Sequence, residues 1–444
     1  MKKHALACIV LAAGRGTRMR SELPKVLHPV AGLPMLGHVI RAAGELSPEH
    51  TVVVIGPGMD NVAKFAAPHP TVVQTKQQGT ADAVRMAEAK LKAFTGDVLI
   101  LYGDTPLVDA AALQKLRDVR HEHDADIVVA AFQPSEPGAY GRVVVNAAGR
   151  VTAIVEALDA TLEQKNIRLC NGGMMLLASP KMWELLAQIK NDNAKKEYYL
   201  TDVVRLAHEA GLKTAAAEIS EEAVLGVNDR VELAAAEAIF QRMMRESVMR
   251  AGATLPDPAT VHFSFDTVIG QDVTIGQNVV FAPGVVVEDR AQIRPFCHLE
   301  GVRIGAGATV GPFARLRPGT VLGNGAHIGN FVELKNATVG AGSKINHLSY
   351  IGDADIGSGA NVGAGTITCN YDGFKKHQTS IGDGAFIGSN TALVAPVVIG
   401  HGAFVGAGSV ITEDVPPDTL AVARGRQVNL DNWAQRFRDE KKKK

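Results

Sequence analysis

From Ile269 to Ile411 an aliphatic residue returns at every sixth position, and a glycine usually follows it. The clearest run is Ile304-Gly305, Val310-Gly311, Leu316, Leu322-Gly323, Ile328-Gly329 and Leu334; a second extends from Ile381-Gly382 to Ile411. Helices repeat near 3.6 residues and strands at 2, so neither accounts for a hexad. The hexad predicts a parallel β-helix built from three short strands per triangular coil. Its aliphatic side chains point inside, and the glycine after each turns the backbone at positive φ. Equivalent positions in successive coils then lie three hexads, or 18 residues, apart. Arg317 and Lys335 have that separation, which predicts two cations on neighbouring strands about 4.8 Å apart. Their repulsion is relieved either by a bound anion or by solvation helped by Glu333, which lies one coil after Arg315.

The front half has a different rhythm. Leu6 to Leu11, Thr51 to Ile55, Asp97 to Tyr102 and Asp126 to Ala131 are short apolar runs, separated by helical patterns such as Ala81 to Lys92 and Ala110 to His121. Continuous apolar strands alternating with helices predict an open α/β sheet buried on both faces, with ligands beyond the strands' carboxyl ends. Asp229 to Arg250 is rich in Ala, Glu, Met and Arg and lacks Gly and Pro, so it reads as a connecting helix. The expected organisation is residues 1–227 as the α/β domain, 228–250 as the linker helix, 251–425 as the β-helix, and 426–444 as a polar tail containing Trp433.

Composition narrows the function classes. Positive and negative side chains balance at 46 each, leaving no global field for nucleic acid or an anionic membrane, and the Lys441 to Lys444 run is read as a solvated tail without function. Cys8, Cys170, Cys297 and Cys369 lie far apart with no C-x-x-C pair, which fits a reducing cytoplasm and neither a disulfide framework nor a zinc knuckle. Lys2-Lys3 before Ala5 to Ala13 imitates the start of a secretion signal. The Gly14 to Arg18 stretch that follows offers no cleavage site, and no apolar run reaches transmembrane length.

Directly after the first strand comes Leu11-Ala12-Ala13-Gly14-Arg15-Gly16-Thr17-Arg18-Met19, then Pro24-Lys25. A glycine-rich turn entering a helix offers backbone N–H groups to phosphate, while Arg18 and Lys25 can neutralise a triphosphate and its leaving pyrophosphate. No Gly-Lys-Ser/Thr follows, so this is not a Walker loop. Met19 stands where a dinucleotide fingerprint needs its third glycine. The string resembles the signature of sugar-1-phosphate nucleotidyltransferases. Joined to a hexapeptide β-helix that contains Gly311 to Gly319 and Ala364 to Gly373, it is similar to the bacterial bifunctional N-acetylglucosamine-1-phosphate uridylyltransferases and glucosamine-1-phosphate acetyltransferases. The resemblance covers essentially the whole chain.

It implies a Rossmann-like nucleotidyltransferase domain joined by a long helix to a left-handed parallel β-helix. Glucosamine-1-phosphate is acetylated from acetyl-CoA, and N-acetylglucosamine-1-phosphate is then joined to UMP from UTP, supplying peptidoglycan and lipopolysaccharide precursors. For uridylyl transfer it implies Arg18 as catalytic, with Leu11, Ala12, Gly14, Lys25, Gln74, Gly79 and Thr80 at the nucleotide. Gly141, Glu156, Asn171 and Asn228 would meet the sugar phosphate. Asp104, at the end of an apolar run, reads alone as a turn-capping Asp. The resemblance makes it an Mg²⁺ ligand with Asn228. Ala157-Leu158 and Gly172 depart from the family, which usually has polar residues and a threonine there.

The hexad errors cluster. Leu334 to Val339 and Ile351 to Ile356 are five-residue steps, and an inserted loop interrupts the repeat between Ile367 and Ile381. The resemblance places the acetyltransferase site in this neighbourhood, at contacts within a homotrimer, with His347 as general base. Arg317, Lys335, Tyr350, Asn361 and Lys376 would hold the sugar phosphate, and Ala364, Asn370, Tyr371, Ser389, Ala407 and Arg424 the acetyl-CoA. His298, His327, His347, His377 and His401 also admit a zinc site of the β-helix carbonic anhydrase kind, although none forms its close i, i+5 pair. Two further alternatives are a nucleotidyltransferase whose β-helix only trimerises it, and a non-catalytic nucleotide-sugar sensor.

Overall fold

The computed structural model describes residues 5–442, in two compact units, Met1–Met243 and Met244–Lys444. Lys2, Lys3, Lys443 and Lys444, and with them parts of the signal-like start and of the lysine tail, lie outside the described residues.

The first unit is built on a nine-stranded sheet: β1 (Leu6–Ala12), β2 (His50–Ile55), β3 (Thr71–Val73), β4 (Gly96–Tyr102), β5 (Ile127–Phe132), β6 (Arg142–Val145), β7 (Val151–Val155), β8 (Cys170–Ser179) and β9 (Thr214–Glu218). Their order is β9-β5-β8-β4-β1-β2-β3, with β6 paired to β8 and β7. The four expected runs are β1, β2, β4 and β5, and every residue of β1 and β5 is buried, as strands covered on both faces must be. β8 runs antiparallel between β4 and β5. The expected helix Ala81 to Lys92 is two pieces, Thr80–Met86 and Glu88–Leu91, and Ala110–Glu122 starts on an Asp109 side chain that accepts the Ala112 N–H. The connecting helix spans Arg230–Arg250.

The second unit is the parallel β-helix, its hexad aliphatics from Ile304 to Leu334 at most 2% exposed. Coil length, however, varies. Thr274 pairs with Gln292 and Arg315 with Glu333, 18 residues on. Val287 pairs with Ile304 and His327 with Lys344, 17 on, and Asn361 pairs with Phe386, 25 on. The short coils contain the five-residue steps, including Leu299 to Ile304, which the hexad count passes over; the long coil contains the inserted loop.

The expected role of the glycines holds at Gly311 (φ 94°), after Val310, and is corrected elsewhere in the run. Gly305 and Gly323 are not at positive φ. A Cβ on Gly305 would lie 2.7 Å from Leu322 O, and one on Gly323 2.7 Å from Ala341 N, so they are glycine because the next coil's backbone passes there. The left-handed turn falls two residues later, at Gly307 (φ 67°) and Gly325 (φ 65°). Within the expected polar tail, Trp433–Lys442 is an exposed helix. Trp433 and Phe437 stack on it with ring centroids 5.2 Å apart, an i, i+4 pair that supports a helix without a core.

Candidate functional sites

β1 and β4 are neighbours, so the turns leaving their carboxyl ends meet above the sheet, where α/β folds bind ligands. A cavity of about 450 Å³ opens there, walled by Leu11, Ala12, Gly14, Lys25, Gln74, Gly79, Thr80 and Asp104. Every expected nucleotide contact thus lies on one wall. Gly16 (φ 65°) is required because a Cβ would strike the Lys25 side chain, and Gly79 (φ 119°) because one would lie 2.5 Å from Tyr198 O. By contrast, nothing lies within 4 Å of a Cβ built on Gly14. Gln74 Nε2 donates to Gly79 O (2.9 Å) and Asp82 Oδ2 (2.8 Å), which fixes the amide's orientation.

The Lys25 ammonium is ion-paired to Asp104 Oδ2 and donates to Asn228 Oδ1 at 3.2 Å. Asn228 is brought in because Val227 N donates to Asp104 O (2.9 Å) and Asn228 N to Glu232 Oε2 (2.6 Å). A carboxylate and an amide oxygen converging on one cation form a hard-cation donor set of the size Mg²⁺ uses when phosphates and water complete its shell. Arg18 is exposed on the short turn Thr17–Met19 and is not part of the cavity wall. Arg230, which sequence reasoning missed, grips this turn from the connecting helix: its Nε donates to Met19 O at 3.2 Å.

The expected sugar residues also converge. Asn171 N donates to Gly141 O at 2.8 Å, and a Cβ on Gly141 would lie 3.6 Å from both Asn171 Cβ and Glu156 Oε2. Desolvation raises the Glu156 carboxyl above its usual range, partly offset by the Thr201 hydroxyl, which donates to Oε1 at 3.2 Å. Tyr102 was missed because its position in an apolar run reads as core. It lines the cavity, and its phenol is raised by burial and by the charges of Asp104 and Glu156. Gly172 has a packing reason: a Cβ would lie 2.6 Å from Val224 Cγ1, so the family's threonine does not fit here. Leu158 is 73% exposed, and nothing in the structure explains its departure.

In the β-helix, the register Arg315↔Glu333 and Leu316↔Leu334, with Arg317 N donating to Leu334 O at 2.9 Å, sets Arg317 and Lys335 on neighbouring strands. Arg317 Nη1 also donates to Glu333 Oε1 at 2.9 Å, so this pair is partly offset from within. Lys376, from the inserted loop, crowds Lys335 and with Arg317 lowers its pKa; it sits 3.8 Å from Asp353. Asn370 Nδ2 donates to Asp353 Oδ2 at 2.5 Å, and a Cβ on Gly352 would lie 2.6 Å from both Tyr350 Oη and Asn370 Nδ2. Tyr350, Asn370 and the cations are therefore one cluster. Tyr371 is 60% exposed on the loop beside it.

His347 stands on the adjacent face with Asn361, in the sheet of His327–Asn330, Lys344–His347 and Asn361–Val362. Its register partner is Asn330, and His347 Nδ1–H donates to Asn330 Oδ1 at 2.6 Å, which leaves Nε2 as the basic nitrogen. An 18-residue count points from His347 to Gly329; the five-residue step from Leu334 to Val339 shortens this coil to 17 and brings Asn330 beside it instead. Ala364, Ser389, Ala407 and Arg424 climb one edge of successive coils: Asn390 N donates to Ala364 O, Gly408 N to Ser389 O, and Arg424 Nη1 to Ala407 O at 2.6 Å. The other histidines considered for zinc are dispersed, His377 against Asp372 and His401 against Asp418. No three His, Cys, Asp or Glu side chains gather as a metal-holding group among the described residues.

An α/β sheet with a glycine-walled cavity and a hexapeptide β-helix with its own polar clusters define a two-module transferase of the nucleotide-using kind. The MobA-like NTP transferase domain profile matches residues 8–208, and the bacterial transferase hexapeptide profile matches 266–301, 301–336 and 378–413, the latter the signature of a left-handed β-helix. Over 99% of its length the chain is 57% identical to the bifunctional protein GlmU of Paramagnetospirillum magneticum, covering 98% of that protein. Identity is 54% to the Sphingopyxis alaskensis GlmU (99% and 98% covered) and 55% to that of Rhodospirillum rubrum (97% of each). The chain belongs to the family of bifunctional GlmU proteins.

Proposed function

We propose that this bifunctional enzyme acetylates glucosamine-1-phosphate in its β-helix and transfers UMP from UTP to N-acetylglucosamine-1-phosphate in its α/β unit, feeding cell-wall precursor synthesis in the cytoplasm. The observation that carries the reading is one chain holding both a glycine-walled nucleotide cavity with a carboxylate–amide cation pocket and, separately, an exposed histidine oriented by an amide. Four free cysteines and the lack of any helix long and apolar enough to cross a membrane, among the described residues, accord with that compartment.

In the first unit, the Gly14–Thr17 backbone and Lys25 receive the phosphates, and the Gln74 carbonyl oxygen accepts a uracil N–H. Glu156 and Asn171 hold sugar hydroxyl and amide groups. The sugar-phosphate oxygen attacks the α-phosphorus, the bond to the β-phosphate breaks, and Arg18 swings from the rim to neutralise the leaving pyrophosphate. Asp104 and Asn228 would hold Mg²⁺, which supplies charge neutralisation on the phosphates.

In the second unit, Arg317, Lys335 and Lys376 receive the sugar phosphate. His347 Nε2 takes a proton from the amine as its nitrogen attacks the thioester carbon, the C–S bond breaks, and His347 returns that proton to the leaving sulfur, releasing coenzyme A as its thiol. Asn330 holds the tautomer in which Nε2 is free. The edge Ala364, Ser389, Ala407 and Arg424, with Asn370 and Tyr371, cradles the acetyl donor. His347 and the cation cluster lie on different faces of one prism, which supports an assembly of copies, the family's homotrimer, in which another chain completes the site.

The test supplies glucosamine-1-phosphate with acetyl-CoA and follows free thiol, then adds UTP with Mg²⁺ and follows pyrophosphate. His347→Ala is expected to cut thiol release about 10²–10⁴-fold while pyrophosphate release from ready-made N-acetylglucosamine-1-phosphate continues. Loss of both activities together in a folded variant would overturn the two-site reading.

A further inference from the structure

The Lys25 ammonium occupies the point where a metal ion would bind. Its two partners come from distant elements, Asp104 Oδ2 from the turn after β4 and Asn228 Oδ1 from the segment before the connecting helix, and they converge on Nζ. The Lys25 and Asp104 side chains are only 11% and 21% exposed, so water screens this ion pair little. The cavity wall also carries Gly14, Gly16 and Thr17, the turn proposed to receive phosphate. Lys25 therefore has two stations within reach of one side chain, the acidic pocket and the phosphate turn.

A dication cannot share the Asp104 oxygen with an ammonium, because two positive charges a few ångströms apart in a half-buried site repel strongly. Nor can the ammonium leave for nothing, since its ion pair must be replaced. Nucleotide phosphate is the replacement. With only one carboxylate and one amide from the protein, the ion also needs phosphate oxygens to complete its shell.

We propose that Lys25 is the resident counter-ion of this site in the free protein and that nucleotide draws it away, so that nucleotide and divalent metal bind with positive coupling. The inference rests on Asp104 and Asn228 being the metal ligands proposed above. Coupling of this kind is reciprocal: whatever factor nucleotide adds to metal affinity, metal adds to nucleotide affinity.

Mn²⁺ binding to the full-length protein, read by paramagnetic resonance of the free ion, tests it without turnover. Wild type is expected to bind Mn²⁺ weakly alone and about tenfold or more tightly with UDP-N-acetylglucosamine present. Lys25→Met should bind Mn²⁺ about tenfold more tightly than wild type without nucleotide and gain less than wild type from adding it, because only ligation by phosphate oxygens then remains. Arg20→Gln, which removes an exposed cation beside the Thr17–Met19 turn and outside the cavity wall, should leave Mn²⁺ affinity of the free protein within about twofold. Equal Mn²⁺ affinity in wild type and Lys25→Met, or equal gains from Lys25→Met and Arg20→Gln, overturns the counter-ion role. Retention of nucleotide-dependent Mn²⁺ binding by Asp104→Asn overturns the metal-site reading beneath it, and the two failures are distinct.

Discussion

Glu156 is held under two opposing demands. To accept sugar hydroxyls at both oxygens, as its proposed role asks, it must be ionised, yet desolvation raises its carboxyl, and only the Thr201 hydroxyl and Lys195 work against that. A carboxyl whose folded pKa exceeds its unfolded one holds its proton more tightly when folded. Its stabilising contribution is therefore complete below the unfolded value, near the ordinary 4.5, and is lost as pH rises through the raised folded value. At neutral pH the ionised group costs stability for the sake of binding. Glu156→Gln should thus melt at or above the wild-type temperature at pH 7, while KM for N-acetylglucosamine-1-phosphate rises roughly tenfold or more. The wild-type KM should climb on acidification at a pH above the ordinary carboxylate range, and the variant's should not. A variant that melts lower and keeps its KM would make Glu156 a structural residue.

Glycines show why some elements were legible and others were not. The hexad announced the β-helix because one core position per strand is repeated against the next coil, and β1 and β5 were legible because both their faces are buried. β8 was not, since its Asn171-Gly172-Gly173 start breaks the apolar run beside the proposed sugar pocket. The nucleotide wall could be read from the local string Leu11 to Lys25, whereas Asn330, Thr201 and Arg230 act through contacts 17, 45 and 211 residues away that no local pattern encodes. Gly305 and Gly14 separate packing from function. Gly305→Ala forces a methyl against Leu322 O and the Gly323 backbone, which cannot yield, and should cost the β-helix about 1–3 kcal/mol in denaturant unfolding. Gly14→Ala meets no protein atom, so stability should stay within about 0.5 kcal/mol while the KM for UTP rises. The opposite pattern would mean that Gly14 serves the fold and not the phosphates.

At the scale of the whole molecule, one corner of the prism is built at a cost that a single chain does not recover. Phe296, Phe313 and Phe331 stack along it, with ring centroids 4.8 and 5.2 Å apart, all three at positive φ (63°, 56° and 55°), and Leu348 continues the line at 51°. Left-handed backbone disfavours side chains of this size, and all four remain about half exposed or more. This same corner separates the two halves of the acetyl-transfer site proposed above, for Asn330 and His347 each stand one residue before it, at Phe331 and Leu348. Burying the ladder against another copy would recover roughly 25 cal/mol per Å² of apolar surface and bring a second chain to His347. Phe331→Glu places a charge in that seam, so sedimentation should show a smaller species and thiol release should fall at least tenfold. Pyrophosphate release by the α/β unit, which needs no seam, should stay within about twofold. If the assembly survives the charge unchanged, the corner faces solvent and the second chain reaches His347 from another side.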